Sequence, residues 1–97
     1  MLCREFGRTG WRVSAVGLGT WNLGDQWGEI GEESALRIVH RALDGGMNLI
    51  DTAESYGLVN GASELRLGRS LGARRHSIYL VSKIGHWGER SGQGVQW

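Results

Sequence analysis

Residues 46–57 read Gly46-Met47-Asn48-Leu49-Ile50-Asp51-Thr52-Ala53-Glu54-Ser55-Tyr56-Gly57, and the fold turns on this stretch. Met47 to Ile50 is a short, mostly apolar run, preceded by Gly45-Gly46 and followed by a polar loop over residues 52–61. That is the pattern of a buried strand ending at Asp51. Working upstream, Ala35, Leu36, Ile38, Val39, Ala42 and Leu43 recur at spacings of three and four. They predict a helix over 32–44 with one broad apolar face. Glu32 and Glu33 fall in its first turn, where carboxylates suit the helix dipole, and Gly45-Gly46 is its stop. Before it lies a loop rich in Gly and Trp, from Gly19-Thr20-Trp21 to about Gly31. The run Ala15-Val16-Gly17-Leu18 reads as an earlier buried strand. Residues 2–14 read as a hairpin turning at Gly7-Arg8-Thr9-Gly10, with Trp11 packing on it.

Downstream, a second helix is predicted over 62–71, with Leu65, Leu67 and Leu71 as its apolar positions and Gly72 as its stop. Ile78-Tyr79-Leu80-Val81 reads as a third strand leading into Ser82-Lys83. Residues 84–97 show no periodicity and read as a loop. Strands alternating with helices imply βαβ units and a parallel sheet. Gly19, Asp51 and Lys83 fall at equal intervals of 32 residues, each just past a strand's C-terminal end. A repeat of that length suits a (β/α)8 barrel, a fold of roughly 250 residues whose active site lies at that edge of the strands.

Composition bounds the rest. The 97 residues allow a single domain with a thin core. Eleven basic residues against ten acidic give a net charge of +1, so neither nucleic acid nor an anionic membrane is an expected partner. No apolar run is long enough for a membrane span, and Met-Leu-Cys-Arg-Glu lacks a signal-peptide core. The single cysteine, Cys3, fits a reducing compartment, and a cytoplasmic location is expected. Seventeen glycines and no proline imply many tight loops.

Asp51 and Lys83 are polar residues at the ends of successive strands, with Tyr56 five positions past Asp51. Taken singly, Asp51 reads as a loop or helix cap, Tyr56 as an amphipathic loop residue and Lys83 as a solvated strand end. Together they suit proton delivery. A phenol, with an ordinary pKa of about 10, is a poor donor at neutral pH, and a neighbouring ammonium makes it a better one. Reduction of a carbonyl to an alcohol needs that proton, with hydride coming from a nicotinamide cofactor.

Residues 46–57, their continuation Ser63-Glu64-Leu65-Arg66-Leu67-Gly68, the start Gly17-Leu18-Gly19-Thr20-Trp21 and Val81-Ser82-Lys83 together resemble the aldo-keto reductases, in the right order along nearly the whole chain. The resemblance implies an α/β fold: an N-terminal hairpin plus the first three strands and two helices of a TIM barrel, with residues 1–97 as one incomplete domain. It implies reduction of an aldehyde or ketone with NADPH, or alternatively NADH. Tyr56 would be the proton donor, with Lys83 and Asp51 tuning it. Gly19, Thr20, Trp21 and Asp51 would lie against the cofactor, and Trp21, Trp27 and Trp87 would wall the substrate pocket. The family's catalytic histidine lies after the fourth strand, and His86 is too close to Lys83 to be its counterpart. The family's main cofactor-phosphate contacts come from its last strands. The 97 residues alone are therefore expected to be unstable and inactive, with the apolar faces of 35–43 and 47–50 short of packing partners. The alternative is a non-catalytic product that self-associates or binds a partner.

Two other signals fall away. Tyr79 and Lys83 match the Y-x-x-x-K spacing of short-chain dehydrogenases, but on a strand four residues span about 13 Å, too far for the side chains to cooperate. His40, His76, His86 and Cys3 have no metal-ligand spacing, and no metal is expected. His40 is expected in solvent, as is the basic turn Arg74-Arg75-His76.

Overall fold

The computed structural model describes residues 1–85, 89–91 and 94–96. Strand β1 (Cys3–Glu5) pairs antiparallel with β2 (Arg12–Ser14), Arg4 opposite Val13. Thr9 closes the turn: its backbone N–H and its hydroxyl both donate to the Phe6 carbonyl. Gly7 and Gly10 take the positive φ that this turn requires. Phe6 and Trp11 stack at 6.1 Å, and Trp11 continues onto Tyr79 at 4.6 Å. Asn48 locks the hairpin to the rest of the chain, accepting from Ser14 N and donating to the Arg12 carbonyl.

Three parallel strands follow, β3 (Leu18–Gly19), β4 (Leu49–Asp51) and β5 (Tyr79–Val81), in that order across one sheet. Helix α1 (Gly31–Asp44) connects the first two and α2 (Ala62–Leu71) the last two, as the alternation predicts. Gly19 stands opposite Asp51, and Asp51 opposite Val81. The register thus aligns the first interval of the 32-residue repeat, while Lys83 lies two residues beyond the end of β5. Side chains alternate across the sheet, so Ile50 faces one way and Leu49 and Asp51 the other. Ile50 faces the helices. It joins Leu23, Ala35, Val39, Leu67, Leu71 and Ile78 in one core. Burying each large aliphatic side chain there contributes about 1.5–3 kcal/mol.

Several expectations are corrected. The first strand is Leu18–Gly19 rather than residues 15–18: Ala15 N instead bonds the Leu2 carbonyl, and Val16 is 53% exposed. On α1 the packed stripe is narrower than the apolar pattern, because Leu36 and Ile38 are each 39% exposed. On α2, Leu65 points to solvent while Leu67 and Leu71 are buried. Within residues 35–43 and 47–50, Ala35, Val39 and Ile50 are wholly buried, while Leu36 and Ile38 stay exposed. His40 is half-buried rather than solvated, its Nε2 2.8 Å from the Ser70 carbonyl across the helix pair. Within the predicted tail loop, β6 (Glu89–Ser91) and β7 (Gly94–Gln96) pair antiparallel. His86, Trp87 and Trp97 lie outside the described residues.

Candidate active site

Asp51 ends β4, and its carboxylate emerges on the sheet face away from the helices. Lys83 follows β5 and reaches back across the gap left by the register. Its Nζ donates to both Asp51 oxygens at 2.8 Å, to the Thr52 carbonyl at 3.0 Å and to Tyr56 Oη at 3.0 Å. It also lies 4.8 Å from the centre of the Tyr56 ring. Tyr56 Oη in turn stands 3.4 Å from Asp51 Oδ2. The three residues form one hydrogen-bonded cluster. Burial pulls the Lys83 pKa down, but the hydrogen bonds it donates to Asp51 and Tyr56 outweigh it and leave the ammonium's pKa raised. Asp51 and Lys83 are about half exposed, so solvent screens the pair.

A tight backbone brings Tyr56 into place. Gly24, within the Gly- and Trp-rich loop, touches Gly57 so closely that a Cβ on Gly24 would sit 2.2 Å from Gly57 Cα. Leu58 N donates to the Gly24 carbonyl, and Gly57 N donates to Gln26 Oε1. Trp21 lies on the short turn Trp21–Gly24 and stacks on the Tyr56 ring, with centres 5.8 Å apart. Trp27 leans on Trp21 at 4.8 Å.

Gly19, Thr20, Trp21, Asn22, Trp27, Asp51 and Tyr56 together line an open hollow of about 340 Å³. Of the residues picked from sequence, the structure gathers Gly19, Thr20, Trp21, Trp27, Asp51 and Tyr56 around this hollow and joins Lys83 to it through hydrogen bonds. Trp87 falls outside the described residues. Thr20 is wholly buried, and its hydroxyl is committed to the Asp51 carbonyl. It supports the floor rather than reaching into the hollow. Sequence reasoning missed Asn22, and it missed buried Ser63, whose hydroxyl donates to the Thr20 carbonyl at 2.5 Å. The bond from Ser63 joins residues 43 apart in the chain, which no local spacing marks. A larger hollow, about 610 Å³, runs along the outer face of α1 past Leu36 and Ile38. None of its lining residues belongs to the Asp51, Tyr56 and Lys83 cluster.

Residues 15–95 match the sequence model of the aldo/keto reductase family. The chain belongs to this family. An aldo-keto reductase from Bacillus halodurans, solved in a holo form, is 34% identical, with a TM-score of 0.81. The match covers 100% of this chain and 30% of that one. A provisionally assigned aldo-keto reductase from Pseudomonas aeruginosa is 42% identical over 87% of this chain, with a TM-score of 0.75. The chain spans about a third of the length of these solved relatives. Its three parallel strands and two helices are thus part of an aldo/keto reductase α/β barrel, and the described residues do not close it. Among the described residues, no helix is long and apolar enough to cross a membrane.

Proposed function

We propose that residues 1–97 carry the proton-delivery half of an NAD(P)H-dependent reductase that converts an aldehyde or ketone to an alcohol. The observation that supports this reading most is the Lys83 ammonium, bonded at once to the Asp51 carboxylate and to the Tyr56 hydroxyl.

The hollow suits the reactive ring of a nicotinamide. Its volume lies at the small end of the roughly 300–1,000 Å³ of small-molecule sites, enough for a ring and a carbonyl but not for a whole dinucleotide. The Trp21 indole offers a flat wall, and the end of β3 is open at Gly19, where a Cβ would meet nothing within 4 Å. Gly19, Trp21 and Asp51 would hold the ring, over a floor that Thr20 supports from beneath, in NADPH or alternatively NADH. The cofactor, when bound, supplies the hydride to the carbonyl carbon.

The protein's own residues handle the other half of the reaction. As the carbonyl oxygen gains an electron pair, the Tyr56 hydroxyl gives it a proton and becomes a phenolate. Lys83, held 3.0 Å from that oxygen, stabilises the negative charge left behind. Asp51 fixes the lysine in place and keeps it protonated. Trp21 and Trp27 wall the side where the substrate carbonyl enters.

On this reading the 97 residues form the first part of a single barrel domain. By themselves they leave the Asp51–Lys83 pair about half in water. Water at the site weakens every electrostatic contact in it, so the isolated stretch has no turnover. Cys3 suits a reducing compartment, and the cytoplasm is the location this reading carries. Deuteride transfer tests the activity. Incubated with deuterated NADPH and p-nitrobenzaldehyde, the complete protein yields alcohol labelled at the former carbonyl carbon. Unlabelled aldehyde recovered intact from every carbonyl tried contradicts the proposal.

A further inference from the structure

The walls of the hollow pose a physical problem. Trp21 is 47% and Trp27 70% exposed, so no core fixes them. They ride on a loop whose backbone turns through positive φ at Asp25, Gly28 and Gly31. Such a segment is loose unless something ties it.

Gly24 and Gln26 bond to Leu58 and Gly57, and a second set of ties meets at two residues that do not line the hollow. Asp25 Oδ1 accepts from Ile30 N and from Arg66 Nη1, both at 3.0 Å. The first bond closes the loop over residues 25–30 at its base, with Trp27 near the tip. Arg66 Nη1 also donates to the Leu23 carbonyl at 2.7 Å, gripping the turn that carries Trp21. Arg66 stands on α2, and its Nε is steadied by Glu32 of α1 at 2.9 Å. One guanidinium therefore holds both indoles' segments to the helical layer. The two ends of this network are not equivalent. The side chains of Arg66 and Asp25 are only 15% and 20% exposed, against 53% for Glu32. The pairing is strongest where solvent screens it least, at the loop end.

We propose that Asp25 and Arg66 are positioning residues that hold the Trp21–Trp27 wall over Tyr56 and so set the affinity for the carbonyl substrate. The inference rests on the reductase reading. The cluster of Asp51, Tyr56 and Lys83 holds itself together by its own bonds. Loosening the clamp therefore weakens substrate binding and spares proton transfer.

The test uses the complete protein and the variant Asp25→Gly, which removes the carboxylate while glycine keeps the positive φ without strain. Asp25→Asn restores an acceptor and tolerates the same backbone. Glu32→Ala cuts only the α1 end. Two indoles 4.8 Å apart give an exciton couplet in circular dichroism, assigned by its loss in Trp27→Phe. Asp25→Gly loses the couplet and raises KM for p-nitrobenzaldehyde about tenfold, with kcat within about twofold. Asp25→Asn recovers both, and Glu32→Ala behaves as wild type. A purely structural role would lower kcat through lost active protein and leave KM alone, and that result overturns the proposal. So does an unchanged couplet in Asp25→Gly. If Asp25→Gly does not fold, Arg66→Met is read in the same way. Wild-type protein that reduces no aldehyde refutes the reductase reading instead, and the couplet then decides the clamp by itself.

Discussion

Replacing Lys83 with methionine separates the chemistry of the cluster from its structural value. Methionine keeps a flexible chain against the Tyr56 ring and removes the charge and all four hydrogen bonds of Nζ. The ion pair it breaks is about half exposed on both sides. Exposed pairs contribute about 0.2–1 kcal/mol, so Lys83→Met lowers unfolding stability by no more than about 1 kcal/mol. On the proposed function the effect on turnover is larger, because the ammonium opposes a charge that would form only as Tyr56 gives up its proton. A hydrogen bond to a charged group is worth about 1.5–3 kcal/mol, which corresponds to about a 10- to 150-fold fall in kcat. The assay is aldehyde-dependent oxidation of NADPH by the complete protein, alongside urea denaturation. In the Tyr56→Phe background the same substitution costs little more, since both residues act on one proton. A Lys83→Met enzyme with kcat within about twofold of wild type refutes the reasoning. Full additivity of the two substitutions refutes it as well.

Three further outcomes follow from the packing and charge. Leu67→Ala empties a fully buried site and lowers stability by about 2–5 kcal/mol, whereas Leu65→Ala, at a 65% exposed position, stays within about 0.5 kcal/mol in the same denaturation experiment. Gly24→Ala places a methyl 2.2 Å from Gly57 Cα and 2.7 Å from Gly57 N. Backbone cannot step aside, so the melting transition falls by the equivalent of about 1–3 kcal/mol or the protein fails to fold. Hydrogen bonds from Arg69 and then Arg66 lower the Glu32 carboxyl from 4.5 to about 2. A depressed carboxylate stabilises the fold above its unfolded pKa and loses that contribution as pH falls through its folded one. The stability difference between wild type and Glu32→Gln is therefore flat above pH 4.5 and shrinks toward about 2. A difference that grows on acidification contradicts the assignment.

Much of the fold is legible from local pattern. The span 62–71 is a helix over those residues because Gly61 and Gly72, both at positive φ, bound it. The strands are harder to read, since an apolar run marks buried side chains and not backbone pairing. Met47 and Asn48 belong to the run but not to β4, and Asn48 spends its polar groups on the hairpin. Gly17, in the expected first strand, lies so close to β4 that a Cβ would come within 2.9 Å of the Leu49 carbonyl. Helix faces are overestimated for a related reason. Leu36, Ile38 and Leu65 satisfy the helical period yet lie beyond the width of the contact between α1, α2 and the sheet. At the site, the strand-end rule singles out Asp51 and Lys83. The contacts that organise their surroundings, Ser63 to Thr20 and Arg66 to Asp25, join residues more than forty apart and leave no trace in spacing.

The central claim is that Tyr56 supplies the proton in carbonyl reduction, and Tyr56→Phe tests it most directly. The substitution removes one oxygen and keeps the ring that stacks on Trp21. In the complete protein it lowers kcat for p-nitrobenzaldehyde by about 10²- to 10⁴-fold, while NADPH still quenches tryptophan fluorescence with unchanged affinity. A Tyr56→Phe enzyme that turns over at the wild-type rate contradicts the account.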